Sequence, residues 1–440
     1  MILFYLFLLN NIQAISAFIL PTQHIMTSSN CNKQPLSPTR RTSSIAFDNN
    51  NGSSDRKEKY NRIDLWKQRN QKLTTTTSLE LSSTSSSSSS NTMQEESKAI
   101  YTFGLLTDIQ YAPVPDGFSY SGNPRYYQHA KVAAEHAAKH FEDEKVQCVV
   151  NLGDIVDGKC SDVDGCHLGH ESVDDVLNAL SSYTTGKILH TYGNHELYNL
   201  SRKELGEKLS IPFVDEGNDE LVGYYHHLLH NQKEDCNSNK GLRFVVIDSY
   251  DICLLGRCET TSAKRQQAHE TLSLNNPNYD SNTPGTENSP EGLEGVSRRF
   301  VGFNGAIDTR QLEWLDQSLQ SAKEKGEQVI ICSHQPIHPD STWPTCLIWN
   351  YEEVLDIIRK YSDTVIASFS GHAHKGGYTR DEISGVHFRT FEAVLESPEN
   401  IRTYAMVDLF EDRLVVRGEG DCVSDVYDLD HLNIESNVQI

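Results

Sequence analysis

Five short apolar runs in this chain each end in side chains that can bind a metal ion, and this repeated pattern constrains the fold most. The runs cover residues 103–106, 149–152, 188–192, 329–332 and 365–369. Short apolar runs rich in β-branched residues are typical of buried strands. Ligands collect at the carboxyl ends of strands in α/β sheets, so the residues after these runs predict one shared site.

The side chains after the runs can all offer oxygen or nitrogen to a cation. In chain order they are Asp108, Gln110, Asp154, Asp157, Asn194, His195, Glu196, His334, His372 and His374. A lone aspartate after a strand is more often a turn former or a helix N-cap. Here, however, such side chains follow five separate predicted strands, and this repetition favours a metal site.

This donor set contains no cysteine thiolate, and its mixture of oxygen and imidazole donors suits Mn²⁺, Fe²⁺ or Zn²⁺ better than a structural zinc ion. Two such ions roughly 3.5–4 Å apart can clamp a phosphoryl group and ionise a water molecule. The sequence contains no Walker loop and no Nudix-type helix that would indicate a different phosphate site.

The motifs carry a resemblance to a known superfamily. They are Asp108-Ile109-Gln110, Gly153-Asp154 with Asp157, Gly193-Asn194-His195-Glu196, the lone His334 and Gly371-His372-Ala373-His374. Their order and spacing over about residues 99–420 resemble the calcineurin-like metallophosphoesterases. Gln110 departs from the pattern, which usually has histidine there. Gln110, together with residues 116–118, 125–127, 193–199 and 371–378, resembles the sequence pattern of a narrower family, the manganese-dependent ADP-ribose/CDP-alcohol diphosphatases.

The resemblance implies an α/β metallophosphoesterase fold, with two stacked mixed β-sheets flanked by helices, and a site for two divalent cations. Asp154 would bridge them. The first cation would take Asp108, Gln110 and His374, and the second Asn194, His334 and His372. Mn²⁺ is the expected metal, with Mg²⁺, Fe²⁺ or Zn²⁺ as alternatives. An amide oxygen from Gln110 is a harder and weaker donor than imidazole, which shifts selection towards Mn²⁺ or Mg²⁺.

His195 is not needed as a ligand in this scheme and can face the scissile phosphate. Asp157 or Glu196 could orient the metal ligands through hydrogen bonds without binding a cation themselves. Glu196 could equally be a surface carboxylate. Arg125 could pair with a phosphate or only support a helix start. Substrate contacts are expected among Phe118, Tyr120, Tyr126, Tyr127, Tyr198, Leu255, Cys346 and Trp349, although most aromatic residues in such folds are core.

The implied reaction is attack by a metal-bound hydroxide on the diphosphate of ADP-ribose, CDP-choline, CDP-ethanolamine or CDP-glycerol. The products would be a nucleoside monophosphate and a phospho-alcohol or ribose 5-phosphate. A phosphomonoesterase or protein phosphatase on the same dinuclear site is the first alternative. A non-catalytic metal-stabilised scaffold is the second, and the intact ligand set with His195 disfavours it.

Charge and cysteine usage limit the partners. The chain has a formal charge of −22, of which residues 1–96 contribute +3 and the remainder −25. An acidic body disfavours nucleic acid, whereas bound metal ions still allow a small anionic substrate. A monomer is expected.

The ten cysteines lack zinc-site spacing, but Cys160 with Cys166, and Cys253 with Cys258, could pair in an oxidising compartment.

The N-terminus predicts targeting. Residues 1–20 resemble a signal peptide, because the apolar run is too short to span a bilayer, although no basic residue precedes it. A disordered apolar N-terminus or a membrane anchor is the alternative. Ser16-Ala17-Phe18 resembles a plastid-targeting junction of diatoms, and residues 21–97 are transit-like and then a low-complexity linker. The expected destination is the secretory pathway or an algal plastid, with the cytosol as the alternative.

Residues 98–440 form the predicted catalytic domain, with a disordered insertion at about 259–298. Strands are predicted at 100–106, 148–152, 187–191, 224–229, 242–248, 329–332, 365–369, 404–410 and 413–417. Helices are predicted at 126–142, 172–183, 308–325 and 351–360, and a short one at 64–72. The buried face of the first of these is expected to carry Val132, Ala133, His136, Ala137 and Phe141. Strands alternating with helices, and a late hairpin at 411–412, predict mixed sheets covered by helices.

Overall fold

The computed structural model of the chain describes residue 67 and residues 98–119, 121–217, 220–230, 241–258 and 261–433. The predictions for the targeting segment, for most of the 64–72 helix and for Tyr120 lie outside these residues. Within them, no helix has the length and apolarity needed to cross a membrane.

The described residues form sixteen strands, seven α-helices and seven short 3₁₀ turns. The strands are β1 (Tyr101–Leu106), β2 (Gly117–Phe118), β3 (Pro124–Arg125), β4 (Cys148–Asn151), β5 (Lys187–His190), β6 (Val214–Asp215), β7 (Leu221–Val222), β8 (Tyr225–Leu229), β9 (Leu242–Val246), β10 (Gln328–Cys332), β11 (Val365–Ser370), β12 (Lys375–Arg380), β13 (His387–Glu392), β14 (Tyr404–Leu409), β15 (Arg413–Glu419) and β16 (Asp425–Asp428). The helices are α1 (Tyr127–Asp143), α2 (Gly169–Leu180), α3 (Asn194–Asn199), α4 (Arg202–Leu209), α5 (Ala263–Asn275), α6 (Thr309–Glu324) and α7 (Tyr351–Lys360). The 3₁₀ turns are Gly158–Ser161, Thr286–Asn288, Gly295–Arg299, Pro339–Ser341, Pro344–Cys346, Val394–Glu396 and Asp430–Asn433.

The first sheet brings three motifs to one edge. Its strand order is β16-β15-β14-β1-β4-β5, and β1, β4 and β5 run parallel. Leu106 is level with Asn151, and Asn151 is level with His190. The loops that follow these residues therefore leave the sheet at the same height. The remaining strands, β14 to β16, pair antiparallel, and the predicted late hairpin joins β14 to β15.

The second sheet brings the histidine motifs to a similar edge. Its order is β12-β13-β11-β10-β9-β8, with β9, β10, β11 and β13 parallel. Cys332 is level with both Val246 and Phe369, so the loops after β10 and β11 begin side by side. The sheets stack through a shared apolar core, in which the Phe103 ring meets that of Phe244 at 4.9 Å.

Helices cover the outer faces of both sheets. α1 and α2 pack on the first sheet, and α6 and α7 pack on the second. The buried side of α1 is mainly alanine, together with Phe141. The predicted face of this helix was therefore partly wrong, because Val132 is 47% exposed and His136 is also exposed. All nine predicted strands and four predicted helices of the domain are present, with shifted ends, and the predicted fold class is confirmed.

The predicted disordered insertion instead contains helix α5 and packed turns. Ser262 caps α5 by accepting a hydrogen bond from the Arg265 N–H at 3.1 Å. Ala268 and Leu272 are fully buried against the side of the domain that carries Trp349. The polar composition of residues 259–298 conceals these two residues, which lie one helical turn apart and supply the apolar contact.

The cysteines form no disulfide in the part of the chain described here. None of the eight described cysteines is bonded to another of them. Cys160 and Cys253 are buried, and Cys258 is exposed. Neither of the predicted pairs is therefore a disulfide in this structure.

Candidate metal centre

Five of the candidate ligands have a left-handed backbone, which is uncommon for any residue other than glycine. Their φ angles are 51° for Asp108, 44° for Gln110, 56° for Asp154, 65° for His372 and 24° for His374. The first two loops hold each other, because Asp108 N–H donates to Gly153 O at 3.0 Å and Gln110 N–H donates to Asp154 O at 2.7 Å. Backbone strain concentrated in this way is characteristic of functional sites.

Two motif glycines are required because other atoms approach them closely. A Cβ atom on Gly193 would lie 2.1 Å from Asp154 Oδ1. A Cβ atom on Gly371 would lie 2.0 Å from Thr107 Oγ1. Any larger residue at either position would displace a candidate ligand or its support.

Asp154, His334 and His372 form the centre of the cluster. One potential ligand atom from each lies within 4.8 Å of the other two. His334 Nε2 is 3.3 Å from Asp154 Oδ2 and 3.2 Å from His372 Nδ1. These three atoms converge on a volume suited to a cation.

Asp108 and His374 extend the cluster on its other side. His374 Nε2 lies 3.2 Å from Asp108 Oδ1. Asp108 Oδ2 accepts hydrogen bonds from Thr107 Oγ1 at 2.6 Å and from the His372 N–H at 3.0 Å. Because Oδ2 is occupied, Oδ1 is the oxygen that Asp108 can offer to a metal.

The far nitrogen of each histidine ring has a fixed partner. His334 Nδ1 lies 2.7 Å from Leu152 O, and His372 Nε2 lies 2.9 Å from Asn304 Oδ1. His374 Nδ1 lies 3.1 Å from Glu396 Oε1. Each partner is a hydrogen-bond acceptor, so it places the ring proton on that side and turns the other nitrogen towards the cluster.

Gln110 lies within the cluster, but its amide oxygen points away from it. That oxygen accepts a hydrogen bond from Arg125 Nη1, while Nε2 lies 2.9 Å from Asp154 Oδ2 and 3.0 Å from His374 Nε2. Ligation through the oxygen would require the amide to turn over. Its NH₂ group would then face the Arg125 guanidinium, and two donors would meet.

The charges of the cluster fit divalent cations. Asp108 and Asp154 are buried, and within the described ranges neither forms an ion pair with lysine or arginine. Burial by itself would raise the pKa of Asp154, but His334 and His195 lower it well below its usual range. Burial lowers the pKa of His334, but Asp154 outweighs it and raises that pKa to about 9. Buried carboxylates need cationic partners, which two metal ions would supply.

His195 lies beside this cluster with its ring oriented by the loop after β4. Its Nδ1 accepts a hydrogen bond from the Gly158 N–H at 2.9 Å and lies 3.3 Å from Asp157 Oδ2. Its Nε2 is 4.0 Å from Asp154 Oδ2, and the side chain is 22% exposed. In the neutral ring, Nε2 therefore carries the proton and faces the site.

Glu196 is fully buried, so the surface-carboxylate alternative was wrong. Its oxygens accept hydrogen bonds from the Asp154 N–H at 3.0 Å, the Ile155 N–H at 2.7 Å and the Gly193 N–H at 3.2 Å. Burial, followed by the charge of Asp154, raises the pKa of Glu196 to about 8. Glu196 thus fixes the loop that carries Asp154.

Three supporting residues were missed by sequence reasoning. Asn304 and Glu396 orient His372 and His374, and Tyr250 Oη donates to Asn194 Oδ1 at 3.1 Å. All three lie in loops or turns with no motif of their own. Only the fold brings them to the histidine and asparagine motifs.

The predicted substrate residues divide between rim and core. Phe118 is 74% exposed, and Arg125, Leu255 and Cys346 are half-buried. Burial raises the pKa of Cys346 to about 12, and the charge of Asp108 adds to this. Tyr127 and Trp349 are buried in the core. Tyr126 is half-buried and Tyr198 partly exposed.

Comparison with known proteins agrees with this architecture. Residues 101–376 match the family model described as calcineurin-like phosphoesterase. Relatives named manganese-dependent ADP-ribose/CDP-alcohol diphosphatase are 38% identical in Oryza sativa, over 72% of this chain and 91% of the relative, and 33% identical in Homo sapiens, over 74% and 92%. The crystal structure of a dimetal phosphatase from Danio rerio is similar, with 34% identity and a TM-score of 0.67, over 76% of this chain and 100% of that one. The chain therefore belongs to the calcineurin-like phosphoesterase family.

Proposed function

We propose that this protein is a manganese-dependent diphosphatase. It hydrolyses ADP-ribose and CDP-alcohols, such as CDP-choline, CDP-ethanolamine and CDP-glycerol. The observation that carries the proposal is the convergence of two buried carboxylates and three imidazoles without a lysine or arginine ion pair in the described chain. The relatives at 33–38% identity, with their printed name, support the substrate class.

The proposal assigns two cations to this cluster. Asp108, His374 and Gln110 would hold the first cation, Asn194, His334 and His372 would hold the second, and Asp154 would contact both. When bound, the cations would supply positive charge against the diphosphate and would make a nearby water molecule more acidic. Gln110 can bind the cation only if its amide group turns over. Otherwise its Nε2 donates a hydrogen bond to Asp154.

His195 acts on the substrate in this scheme. In the neutral ring the Gly158 N–H keeps Nδ1 as an acceptor, so the Nε2–H donates to a phosphate oxygen. In the protonated ring the Nε2–H can protonate the leaving group. Asp157 stabilises the protonated ring from 3.3 Å. Neither residue needs to bind a cation for this role.

Arg125 gives a reason for the preference for diphosphates. It is a half-buried guanidinium group next to Gln110 at the edge of the cluster. A second phosphate that extends beyond the cations would find this charge, and a guanidinium binds phosphate through paired hydrogen bonds. A phosphomonoester has no second phosphate to place there.

The first alternative is a phosphomonoesterase or protein phosphatase on the same site. The test measures kcat/KM for ADP-ribose, CDP-choline and p-nitrophenyl phosphate, with Mn²⁺ and Mg²⁺ compared after chelation. The diphosphates should be preferred by about tenfold or more, which is the contribution of one charge-assisted hydrogen bond. A preference for the monoester would overturn the proposal.

We also propose that residues 1–97 direct the protein to the secretory pathway or to an algal plastid. The support is the composition of the sequence alone. A fluorescent fusion of residues 1–97, expressed in an algal cell, should enter one of these compartments. Diffuse cytosolic fluorescence would contradict the proposal.

A further inference from the structure

Two segments that are far apart in the sequence meet behind the proposed second cation. Ile252 and Ala306 exchange two backbone hydrogen bonds, each 2.9 Å long. This pair joins residues 249–252 to residues 303–306. The contact is close, because a Cβ atom on Gly305 would lie 2.9 Å from Ile252 O. We call these two segments together the bridge support.

Asn304, in the bridge support, holds His372. Its amide group cannot turn over, because Nδ2 donates towards three backbone carbonyl oxygens, those of Arg299 at 2.9 Å, Thr345 at 2.8 Å and Leu347 at 3.3 Å. Asn304 Oδ1 is therefore fixed as an acceptor, and it lies 2.9 Å from His372 Nε2. This contact places the ring proton on Nε2 and leaves Nδ1 of His372 for a cation.

Tyr250, in the same support, holds Asn194. Tyr250 is fully buried, and its Oη donates to Asn194 Oδ1 at 3.1 Å. Its backbone is fixed on both sides, because its N–H donates to Asp248 Oδ1 at 3.0 Å and its carbonyl oxygen accepts from Arg202 Nη2. Arg202 and Asp248 also pair with each other at 2.5 Å. The Tyr250 hydroxyl is therefore held next to the Asn194 side chain.

The bridge support also holds the residue that follows His334. Gln335 Oε1 accepts a hydrogen bond from the Gly305 N–H at 3.2 Å, and Gln335 Nε2 donates to Ser249 O at 2.9 Å. Gln335 is fully buried and bonds to both segments of the support. Each proposed ligand of the second cation other than Asp154 thus has a partner on this support, either directly or through the next residue.

A different segment holds the proposed ligands of the first cation. Glu396 Oε1 lies 3.1 Å from His374 Nδ1. The Leu395 N–H donates to Asp108 O at 3.0 Å, so the same turn also fixes the loop after β1. We call residues 393–396 the turn support. The two cations are therefore held by separate parts of the fold, which meet at Asp154.

We propose that the bridge support controls the occupancy of the second cation alone, and that the turn support controls the occupancy of the first. Asn304 and Tyr250 are positioning residues, because each acts through a ligand and not on the substrate. The two sets of ligands do touch, since the His372 N–H donates to Asp108 Oδ2 at 3.0 Å. That bond uses the backbone of His372, which a change at Asn304 leaves in place. The inference rests on the two-cation site of the proposed function and deepens it.

The test counts the Mn²⁺ ions bound per chain. The full chain is stripped of metal by chelation and titrated with Mn²⁺ without substrate, and electron paramagnetic resonance measures the free ion. Asn304→Leu keeps a side chain of similar size but removes the acceptor for His372, and Tyr250→Phe removes one hydroxyl. Each variant should weaken the binding of one ion by about 10–100-fold, the usual effect of losing such a partner, and leave the other ion unchanged.

Combined variants identify which ion each residue serves. Asn304→Leu together with Tyr250→Phe should still bind one ion with parental affinity, because both residues serve the second cation. Asn304→Leu together with Glu396→Leu should bind neither ion with parental affinity, because these residues serve different cations.

Asn276→Leu is the matched control for Asn304→Leu. Asn276 is also a buried asparagine, and its Nδ2 donates to Ser289 O at 3.0 Å and to Phe300 O at 2.8 Å. Its Oδ1 accepts from the Asn278 N–H, however, and not from a histidine. Asn276→Leu should therefore lower the melting temperature without changing the number of Mn²⁺ ions bound.

Two results would overturn the inference. Equal weakening of both ions in Asn304→Leu, or loss of an ion in Asn276→Leu, would show that the support has no selective effect on one cation. Parental affinity for both ions in Asn304→Leu and Tyr250→Phe would show that neither residue positions a ligand. If Asn304→Leu does not fold, Tyr250→Phe alone decides between these results.

Failure of the proposed function gives a different result. A parent that binds two Mn²⁺ ions but hydrolyses no diphosphate would overturn that function and leave the assignment of the two supports in place. A parent that binds fewer than two ions would overturn both the two-cation site and this inference.

Discussion

Among the described residues, two clusters bring three potential ligand groups together, and only one of these two suits a metal. The metal centre joins Asp154 with His334 and His372, all buried. The second cluster joins Glu216, Asp251 and Asp308. At first sight, the second has the stronger negative charge and should attract a cation more readily.

The second cluster already contains its cation. Lys264 Nζ lies 2.8 Å from Glu216 Oε2 and 2.9 Å from Asp308 Oδ2, and it also pairs with Asp251. Lys264 lies on α5, and Asp308 caps α6. We call this group the lysine cluster. Its ion pairs therefore hold the segment that contains α5 against the rest of the domain.

The two clusters differ in backbone conformation as clearly as they differ in charge. Asp154 and His372 have a left-handed backbone, whereas no residue of the lysine cluster does. Strain persists only where the surrounding structure over-determines the conformation, and that is observed at the metal centre. A group of acids is thus weak evidence for a metal site until its permanent cations and its backbone have been examined.

The largest expected effect tests whether Asp154 holds both cations. Asp154→Asn should lower kcat/KM by about 10³-fold or more and reduce the Mn²⁺ bound per chain, because one charge serves both ions. Asp308→Asn is the matched control in the lysine cluster and should leave bound metal unchanged. Near-parental turnover of Asp154→Asn with two ions retained would refute the bridging role.

The next effect separates action on substrate from metal binding within the centre. His195→Ala should lower kcat by roughly 10²–10⁴-fold, as expected for a lost proton donor, with metal content unchanged. His170→Ala, at an exposed surface ion pair with Glu204, should have no effect on either. If metal is lost from His195→Ala, His195 belongs to the ligands.

The third effect concerns stability instead of activity. Lys264→Met leaves three acids without their shared ammonium group, which should destabilise the fold by about 3–5 kcal/mol. Denaturant unfolding measures this, while kcat and bound Mn²⁺ of the folded fraction should match the parent. A loss of metal instead of stability would erase the distinction between the two clusters.

A smaller effect is expected from Gln110→His, which restores the common motif of the superfamily. Imidazole binds more tightly than an amide, so the Mn²⁺ concentration needed for half activity should fall by about tenfold, and Zn²⁺ or Fe²⁺ should become better tolerated. Titration of chelated enzyme with each metal measures this. An unchanged metal requirement would show that Gln110 only donates to Asp154, as its orientation indicates.

The smallest effect is expected from removing residues 1–95. Among the described residues, this deletes one ion pair to the domain, Lys67 Nζ to Glu392 at 3.5 Å, with Lys67 27% exposed. A pair of this kind contributes less than about 1 kcal/mol. A chain that starts at Glu96 should therefore keep both clusters, its activity and its melting temperature. An unfolded, inactive product would place the low-complexity region in the domain.

The sequence alone was sufficient to predict the strands that precede the candidate ligands. Apolar runs followed by glycine and polar residues are local patterns, and local sterics and burial determine them. Strands β12 and β13 were missed for a local reason as well. Gly376 and Gly377 weaken the pattern of β12, and β13 contains Arg389, a charged residue that is buried and pairs with Glu392.

Tertiary structure alone decided which charged groups meet. Asn304 reaches His372 across 68 positions of sequence, and Lys264 reaches Asp308 across 44. The direction of the Gln110 amide depends on Arg125, which lies on β3. A hydrogen bond or ion pair depends on distances of a few tenths of an ångström between segments that the chain places far apart. Local sequence does not encode such distances, because they arise only when sheets, helices and loops pack together.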